Sequence, residues 1–85
     1  MTEKYNGYSN RETWACNLWF NNDEGLYREW YRLSQEAQDV FDLADKFKGN
    51  FEEIAPYMKR EILDDIGFQW RINWEEIARS WIGEK

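Results

Sequence analysis

Acidic side chains are the most numerous groups in this 85-residue chain that could carry chemistry. Seventeen Asp and Glu oppose eleven Lys and Arg, which gives a formal net charge of −6 at pH 7. Nine of these acids and only four of the bases lie within residues 36–65, so that segment alone carries −5. An acidic surface of this kind can occupy a basic groove on another protein, as a mimic of nucleic acid, or it can keep a protein soluble. We take seven of these acids as a candidate partner-binding surface: Asp39, Asp42, Asp45, Glu52, Glu53, Asp64 and Asp65.

The same residue inventory excludes most catalytic sites. The chain has no His and a single Cys, which rules out a Ser-His-Asp triad, a Cys-His dyad, an intrachain disulfide and the ordinary zinc ligand sets. Two pairs of adjacent acids, Asp64-Asp65 and Glu75-Glu76, could tune each other's pKa, but adjacent residues of a helix do not face one another. The acids also lack the spacing of an EF-hand calcium loop. We therefore expect no enzyme activity, no cofactor and no metal.

A polar stripe follows the first predicted helix. It consists of Asn10, Thr13, Asn17 and Asn21, spaced by three, four and four residues. Asn is a poor residue for a helix interior, so this repetition indicates hydrogen bonding that helix propensity alone would not select. Three interpretations stay open: a solvated face with a cap at each end, a buried network that holds this helix against the long helix that follows, or a partner-binding strip. Asn17 discriminates between them, because it lies mid-helix and cannot be a cap.

These side chains must be positioned by a small helical domain. A chain of 85 residues is below the usual ~100–200 residues of a domain, so we treat residues 1–85 as one. The periodicity of its apolar residues predicts an all-α bundle of about four helices, one long and three short, behind an irregular arm at residues 1–8. The predicted helices span residues 10–21, 23–48, 56–66 and 73–82.

The long helix is predicted from a heptad seam. Leucine, tryptophan, alanine, valine and phenylalanine recur at alternating intervals of four and three residues between Leu26 and Phe47, before Gly49. Such a seam favours one continuous helix that ends at Gly49, and it could also join two copies of the chain. A break near Leu33 with Ser34 as a new cap is the alternative.

Capping residues predict the other helix boundaries. Ser9 and Glu12 have the spacing of a capping box, with Asn10 as an alternative cap. A cap signal at Asn50 would start a short turn before Pro56, which suits the first position of the third helix. Asn73 is expected to cap the last helix, and residues 68–72 to be loosely extended. The predicted core comprises Trp14, Leu18, Trp30, Leu33, Ala37, Val40, Met58, Ile62, Trp74, Ile77 and Trp81.

The aromatic residues make up 19% of the chain and could stack on nucleic-acid bases or fill a core. Because they recur at helical spacing in an acidic chain, we expect most of them to be buried and direct nucleic-acid binding to be disfavoured. Tyr27, Tyr31 and Tyr57 lie off the apolar faces and are expected to be exposed. No apolar run approaches the ~18 residues of a membrane span. With no visible secretory signal and a single Cys, we expect a cytoplasmic location and no membrane association.

Two stretches of the sequence resemble a family of small uncharacterised proteins found in bacteriophages, plasmids and their hosts. The first covers residues 5–14, 17–19 and 22–27, which read YNGYSNRETW, NLW and NDEGLY. The second is NWEEIA at residues 73–78. The resemblance implies a mobile-element setting in a bacterial host, and it implies no activity.

Two functions of different classes remain. The leading hypothesis is a small acidic phage or mobile-element protein that acts by binding another protein. Its partner would be a basic or nucleic-acid-binding host protein in DNA defence or DNA metabolism, and the action would be inhibition of the anti-restriction or anti-CRISPR type. The alternative is a structural or assembly role in which the heptad seam forms a helical homodimer.

Overall fold

A computed structural model of the chain describes residues 6–82. They form five α-helices: α1 (Arg11–Asn22), α2 (Glu24–Glu36), α3 (Val40–Ile54), α4 (Arg60–Ile66) and α5 (Trp74–Ile82). Two 3₁₀ turns, Ala55–Tyr57 and Gln69–Arg71, precede α4 and α5. The described residues are therefore all-helical, as predicted, but they form five helices and not four. None of the helices within them is long and apolar enough to cross a membrane.

The predicted long helix at residues 23–48 is wrong, because the chain leaves the helical conformation at residues 37–39. Asp39 has an extended backbone, and its carboxylate accepts a hydrogen bond from the Asp42 backbone N–H at 2.8 Å. The Asp42 carboxylate in turn accepts one from the Gln38 N–H at 3.0 Å. This arrangement resembles a capping box, except that the second backbone donor is the residue before the N-cap, and it starts a new helix. Two of the predicted partner-binding acids thus define a helix terminus.

The heptad seam lies inside the molecule although the helix that was expected to carry it is divided. Trp30, Leu33 and Phe47 are buried. The remaining seam residues pack against the core as partly buried side chains: Leu26, Ala37, Val40 and Ala44. Ser34, the alternative cap, lies within α2, where its hydroxyl donates to the Tyr31 carbonyl. The seam therefore packs α2 and α3 against the core of the same chain.

Two further boundaries in the centre of the chain are displaced. Gly49 does not end α3, which continues to Ile54. Asn50 is not a cap, and its side-chain oxygen accepts a hydrogen bond from the Trp30 indole N–H at 3.1 Å. Pro56 stands in the 3₁₀ turn, so α4 begins at residue 60 and not at residue 56. The first and last helices, by contrast, start and end within one residue of their predicted bounds.

A stack of three aromatic rings forms the centre of the core. The Trp30 ring lies between those of Phe20 and Phe47, with centroid distances of 3.6 and 3.9 Å. Trp74 and Trp81 meet Trp30 edge-on at 6.2 and 5.8 Å. Four of the five helices therefore contribute rings to one cluster, which supplies much of the apolar burial available to so short a chain.

Helix α1 buries a different face from the one predicted. Leu18, an expected core residue, is 40% exposed, and Trp14 and Trp19 are only partly buried. The residues that α1 buries are Thr13, Ala15, Cys16, Asn17 and Phe20. Two members of the polar stripe thus lie on the inner face, so the hydrogen bonds that satisfy them decide how the helix is oriented.

Candidate partner-binding surface

The polar stripe of α1 is part of a hydrogen-bonded network. Asn10 caps α1, since its side-chain oxygen accepts from the Thr13 N–H at 2.8 Å, and its amide donates to the Arg71 carbonyl at 2.9 Å. The Thr13 hydroxyl accepts from the Asn73 N–H at 2.9 Å. The first turn of α1 is thereby fixed to the segment that leads into α5.

Asn17 is the centre of the second half of this network. Its amide donates to the Tyr8 hydroxyl at 2.6 Å, and its side-chain oxygen accepts from the Trp81 indole N–H at 2.9 Å. The Asn21 amide donates to the Asn17 backbone carbonyl at 2.7 Å, while Asn21 itself is exposed. Asn17 is 8% exposed, so the solvated interpretation is wrong for this residue. The network joins α1 to α5 and not to the helix that follows α1, because α5 supplies the facing indole.

Ser9 completes the connection between the two ends of the described chain. Its backbone N–H and its hydroxyl both donate to one carboxylate oxygen of Glu76, at 2.9 and 2.7 Å. Asn73 caps α5, as predicted, by accepting from the Glu76 N–H at 3.0 Å. Among residues 6–82 no buried side-chain nitrogen or oxygen lacks a hydrogen-bond partner. Hydrogen bonds therefore join the first stretch of the family resemblance, at Ser9 and Thr13, to the second, at Asn73 and Glu76.

The sequence matches a family of unknown function, DUF7249, over residues 1–84. This chain belongs to that family. The match agrees with the resemblance to a family of uncharacterised proteins. Neither the curated proteins nor the solved structures contain a match to this DUF7249 chain.

Three of the seven predicted partner-binding acids have internal roles. Asp39 and Asp42 cap the start of α3, and Asp42 also lies 3.4 Å from the Lys46 ammonium. The hydrogen bond from the Gln38 N–H, with a smaller contribution from Lys46, lowers the pKa of Asp42. Asp65 accepts from the Arg11 guanidinium at 3.0 Å and from the Trp19 indole N–H at 2.8 Å, and so fixes α4 against α1.

The other four predicted acids are free of such roles. Asp45, Glu52, Glu53 and Asp64 are exposed, and no ion pair within residues 6–82 includes them. Three of them lie on α3, whereas Asp64 lies on α4, which packs against α1. The predicted acidic surface is therefore reduced to the outer side of α3, with Asp64 on a separate helix.

An exposed aromatic pair, which the sequence analysis missed, lies before α5. Phe68 is 64% exposed and Trp70 is 81% exposed, and their ring centroids are 6.2 Å apart. The segment that carries them is a 3₁₀ turn between extended residues, and not the extended strand expected for residues 68–72. Its end is anchored, because the Arg71 carbonyl accepts from Asn10 and Ile72 is buried. The signal available in the sequence is the position of both rings between the stop at Gly67 and the cap of α5, outside any helical face.

Trp70 of the aromatic pair and Glu52 of the free acids both line a cleft of about 420 Å³. Lys48 and Glu52 of α3 form one wall, and Gln69 and Trp70 form the other. The remaining lining residues are Phe51, Ile72 and Trp74. We call Asp45, Lys48, Glu52, Phe68 and Trp70 the α3–loop surface. Asp45, Lys48 and Glu52 share one face of α3, since they are spaced by three and four residues.

Proposed function

We propose that this protein acts by binding another protein through the α3–loop surface. The observation that carries the proposal is Trp70, which leaves 81% of its surface exposed beside the exposed Phe68. Adjacent exposed apolar side chains mark interaction sites, and Trp is the residue type most enriched among those that dominate binding energy. Because one end of this segment is anchored, binding would cost less conformational entropy.

The charge beside these rings favours a basic partner. Asp45, Glu52 and Glu53 leave their carboxylates unpaired on the exposed side of α3, whereas the acids of α2 are largely paired with arginines of the same helix. Unpaired charge of one sign attracts a surface of the opposite sign and accelerates association. Basic surfaces are typical of nucleic-acid-binding proteins. This supports a partner that binds nucleic acid. We therefore expect nucleic acid and this protein to compete for the same surface of the partner.

The family resemblance adds a biological setting to the proposal. In a phage or plasmid setting, the partner belongs to the DNA defence or DNA metabolism of a bacterial host, and the binding inhibits it in the cytoplasm. The heptad seam no longer favours the homodimer alternative, because Trp30, Leu33 and Phe47 of the seam are buried within the chain. A dimer would also have to overcome the repulsion between two chains of formal charge −6. Mass measurement at two protein concentrations tests it.

The protein-binding proposal is tested by capture from a bacterial host lysate with matched variants. We expect the unaltered chain to retain a basic protein that elutes at raised salt and is displaced by nucleic acid. A variant that combines D45N, E52Q and E53Q, and separately W70A, should lose it. Y57A is the control, because Tyr57 is 88% exposed and does not line the cleft. Equal capture by all four proteins, or no specific capture by any of them, would contradict the proposal.

A further inference from the structure

We propose that the cleft between α3 and residues 68–72 is an arginine-binding site. It takes one arginine side chain of the partner, with the guanidinium stacked on Trp70 and its charge paired with Glu52. This inference rests on the proposed protein-binding function and names the side chain that is recognised.

The lining of the cleft fits a side chain with an apolar stem and a charged end. The floor of the cleft is apolar: Phe51 and Ile72 lie in it, and the partly buried Trp74 and the exposed Trp70 leave apolar surface accessible. Arginine buries its methylene stem against surfaces of this kind while its charged group stays hydrated. The volume of about 420 Å³ is within the range of ligand sites, ~300–1,000 Å³, and accommodates one long side chain.

Glu52 supplies an unoccupied carboxylate at the rim. Elsewhere in the described chain several acid–base pairs four residues apart form ion pairs, for example Glu24 with Arg28 and Glu75 with Arg79. Lys48 and Glu52 have the same spacing, yet no ion pair within residues 6–82 joins them. The Glu52 carboxylate is therefore available to accept two parallel N–H bonds from a guanidinium.

Trp70 supplies the stacking surface. The Arg71 guanidinium carbon already lies over the indole, 6.0 Å from the ring centroid, at the outer limit of a cation–π contact. An indole has two faces, so it can accept a second guanidinium on the other. Lysine lacks the planar group that both stacks and pairs bidentately, and we therefore expect arginine to be preferred.

The test uses the full chain labelled with ¹⁵N and the peptide Ac-Gly-Arg-Leu-Gly-amide as the probe. Titration should shift the Trp70 indole N–H signal saturably. A peptide with neutral citrulline in place of arginine should bind about threefold to fivefold more weakly, which is the range expected for one exposed ion pair. E52Q should show the same loss toward the arginine peptide, and W70A should abolish the saturable shifts. E53Q is the matched control, because Glu53 neighbours Glu52 but does not line the cleft.

Three results would overturn the assignment. They are no shift at Trp70, equal affinity for the arginine and citrulline peptides, or a larger effect of adenosine monophosphate, which would make the cleft a nucleobase site. Because Trp70 is exposed, we expect W70A to fold as the parent does. Its thermal unfolding checks this. If W70A loses lysate capture but E52Q keeps it, and the arginine and citrulline peptides bind equally, the arginine site is wrong and protein binding through the α3–loop surface stands. If the peptide binds as expected but no protein is captured, the proposed function fails and the site stands.

Discussion

The Trp81 indole N–H donates to the side-chain oxygen of Asn17 at 2.9 Å, in a buried hydrogen bond between residues 64 positions apart. The same Asn17 side chain donates to the Tyr8 hydroxyl at 2.6 Å. A single amide thus satisfies one donor of α5 and one acceptor of the segment before α1. Because each buried polar group needs its partner, this contact fixes the rotation of α1 as well as its position.

We predict that Asn17→Ala destabilises the protein by about 1–3 kcal/mol, because it leaves the buried Trp81 indole N–H without an acceptor. At a solvated position the same change would stabilise by roughly half a kcal/mol through helix propensity. Urea unfolding followed by circular dichroism measures the difference. Asn22→Ala is the control, since Asn22 is exposed at the end of the same helix.

A double-mutant cycle isolates the bond itself. Trp81→Phe removes the indole donor but keeps an aromatic ring against Trp30. The two changes together should cost less than the sum of the single changes, because the second removes a group that the first has already orphaned. Additive losses, or an Asn17→Ala protein as stable as its parent, would return the stripe to the solvated interpretation.

We predict opposite outcomes for two tryptophans of the same chain. Trp30 has no exposed surface and stacks between two rings, whereas Trp70 is 81% exposed. Trp30→Ala should cost about 3–5 kcal/mol, comparable with the ~5–15 kcal/mol that stabilises a small domain. Trp70→Ala should leave the free energy of unfolding unchanged to within ~0.5 kcal/mol. Thermal unfolding of both variants checks this, and similar midpoints for the two would show that the assigned core is wrong.

Local capping chemistry explains why parts of this fold were predictable from the sequence. Asn73 caps α5 as expected, and Asn10, the alternative cap, begins α1. The break at residues 37–39 was missed because the heptad spacing continues across it without interruption. The sequence does contain a signal for this break, because Asp39 and Asp42 have the spacing of a capping box. The second Asp takes the place usually held by Glu.

The candidate site was less predictable, because charge on a helix does not reveal its partners. Asp65 was taken as a surface charge, yet its carboxylate binds Arg11 and Trp19, more than forty positions away. Tyr27, Tyr31 and Tyr57 were correctly expected to be exposed. Residues 68–72 show no helical periodicity, so nothing in the pattern separated the exposed rings from the buried Ile72.

We predict that Cys16 is inert in the folded protein. Its side chain is fully buried, and this burial raises the pKa of the thiol well above its usual value. Because the thiolate is the reactive form, a disulfide reagent such as DTNB should react with it only at the rate of unfolding. Full reaction in denaturant is the control. Rapid reaction of the native protein would mean that α1 opens locally or that its buried face is assigned incorrectly.

We predict that Asp39→Ala destabilises the protein by about 1 kcal/mol, the usual cost of losing an N-cap. The loss arises at the start of α3, where the Asp39 carboxylate accepts from the Asp42 N–H. Asp39→Asn should recover most of it, since Asn is an equally good cap. Asp45→Asn is the control, because Asp45 is exposed and forms no ion pair within residues 6–82. Chemical unfolding at neutral pH compares the variants. Equal stability of Asp39→Ala and the parent would show that this cap does not stabilise the protein.

Asp42, the other residue of this cap, makes the free energy of unfolding depend on pH. The pKa of Asp42 is lowered from its ordinary value of 3.8, first by the Gln38 N–H and then by Lys46. A carboxyl group whose pKa is lower in the folded state stabilises that state fully above its unfolded pKa, and this contribution is lost as the pH falls through the folded pKa. The difference in unfolding free energy between the parent and Asp42→Asn should therefore be constant from neutral pH down to about pH 5, and should shrink progressively below about pH 4. Urea unfolding of both proteins across this range measures it. A difference that grew on acidification would mean that Asp42 is held protonated in the fold, which would reverse its role in separating α2 from α3.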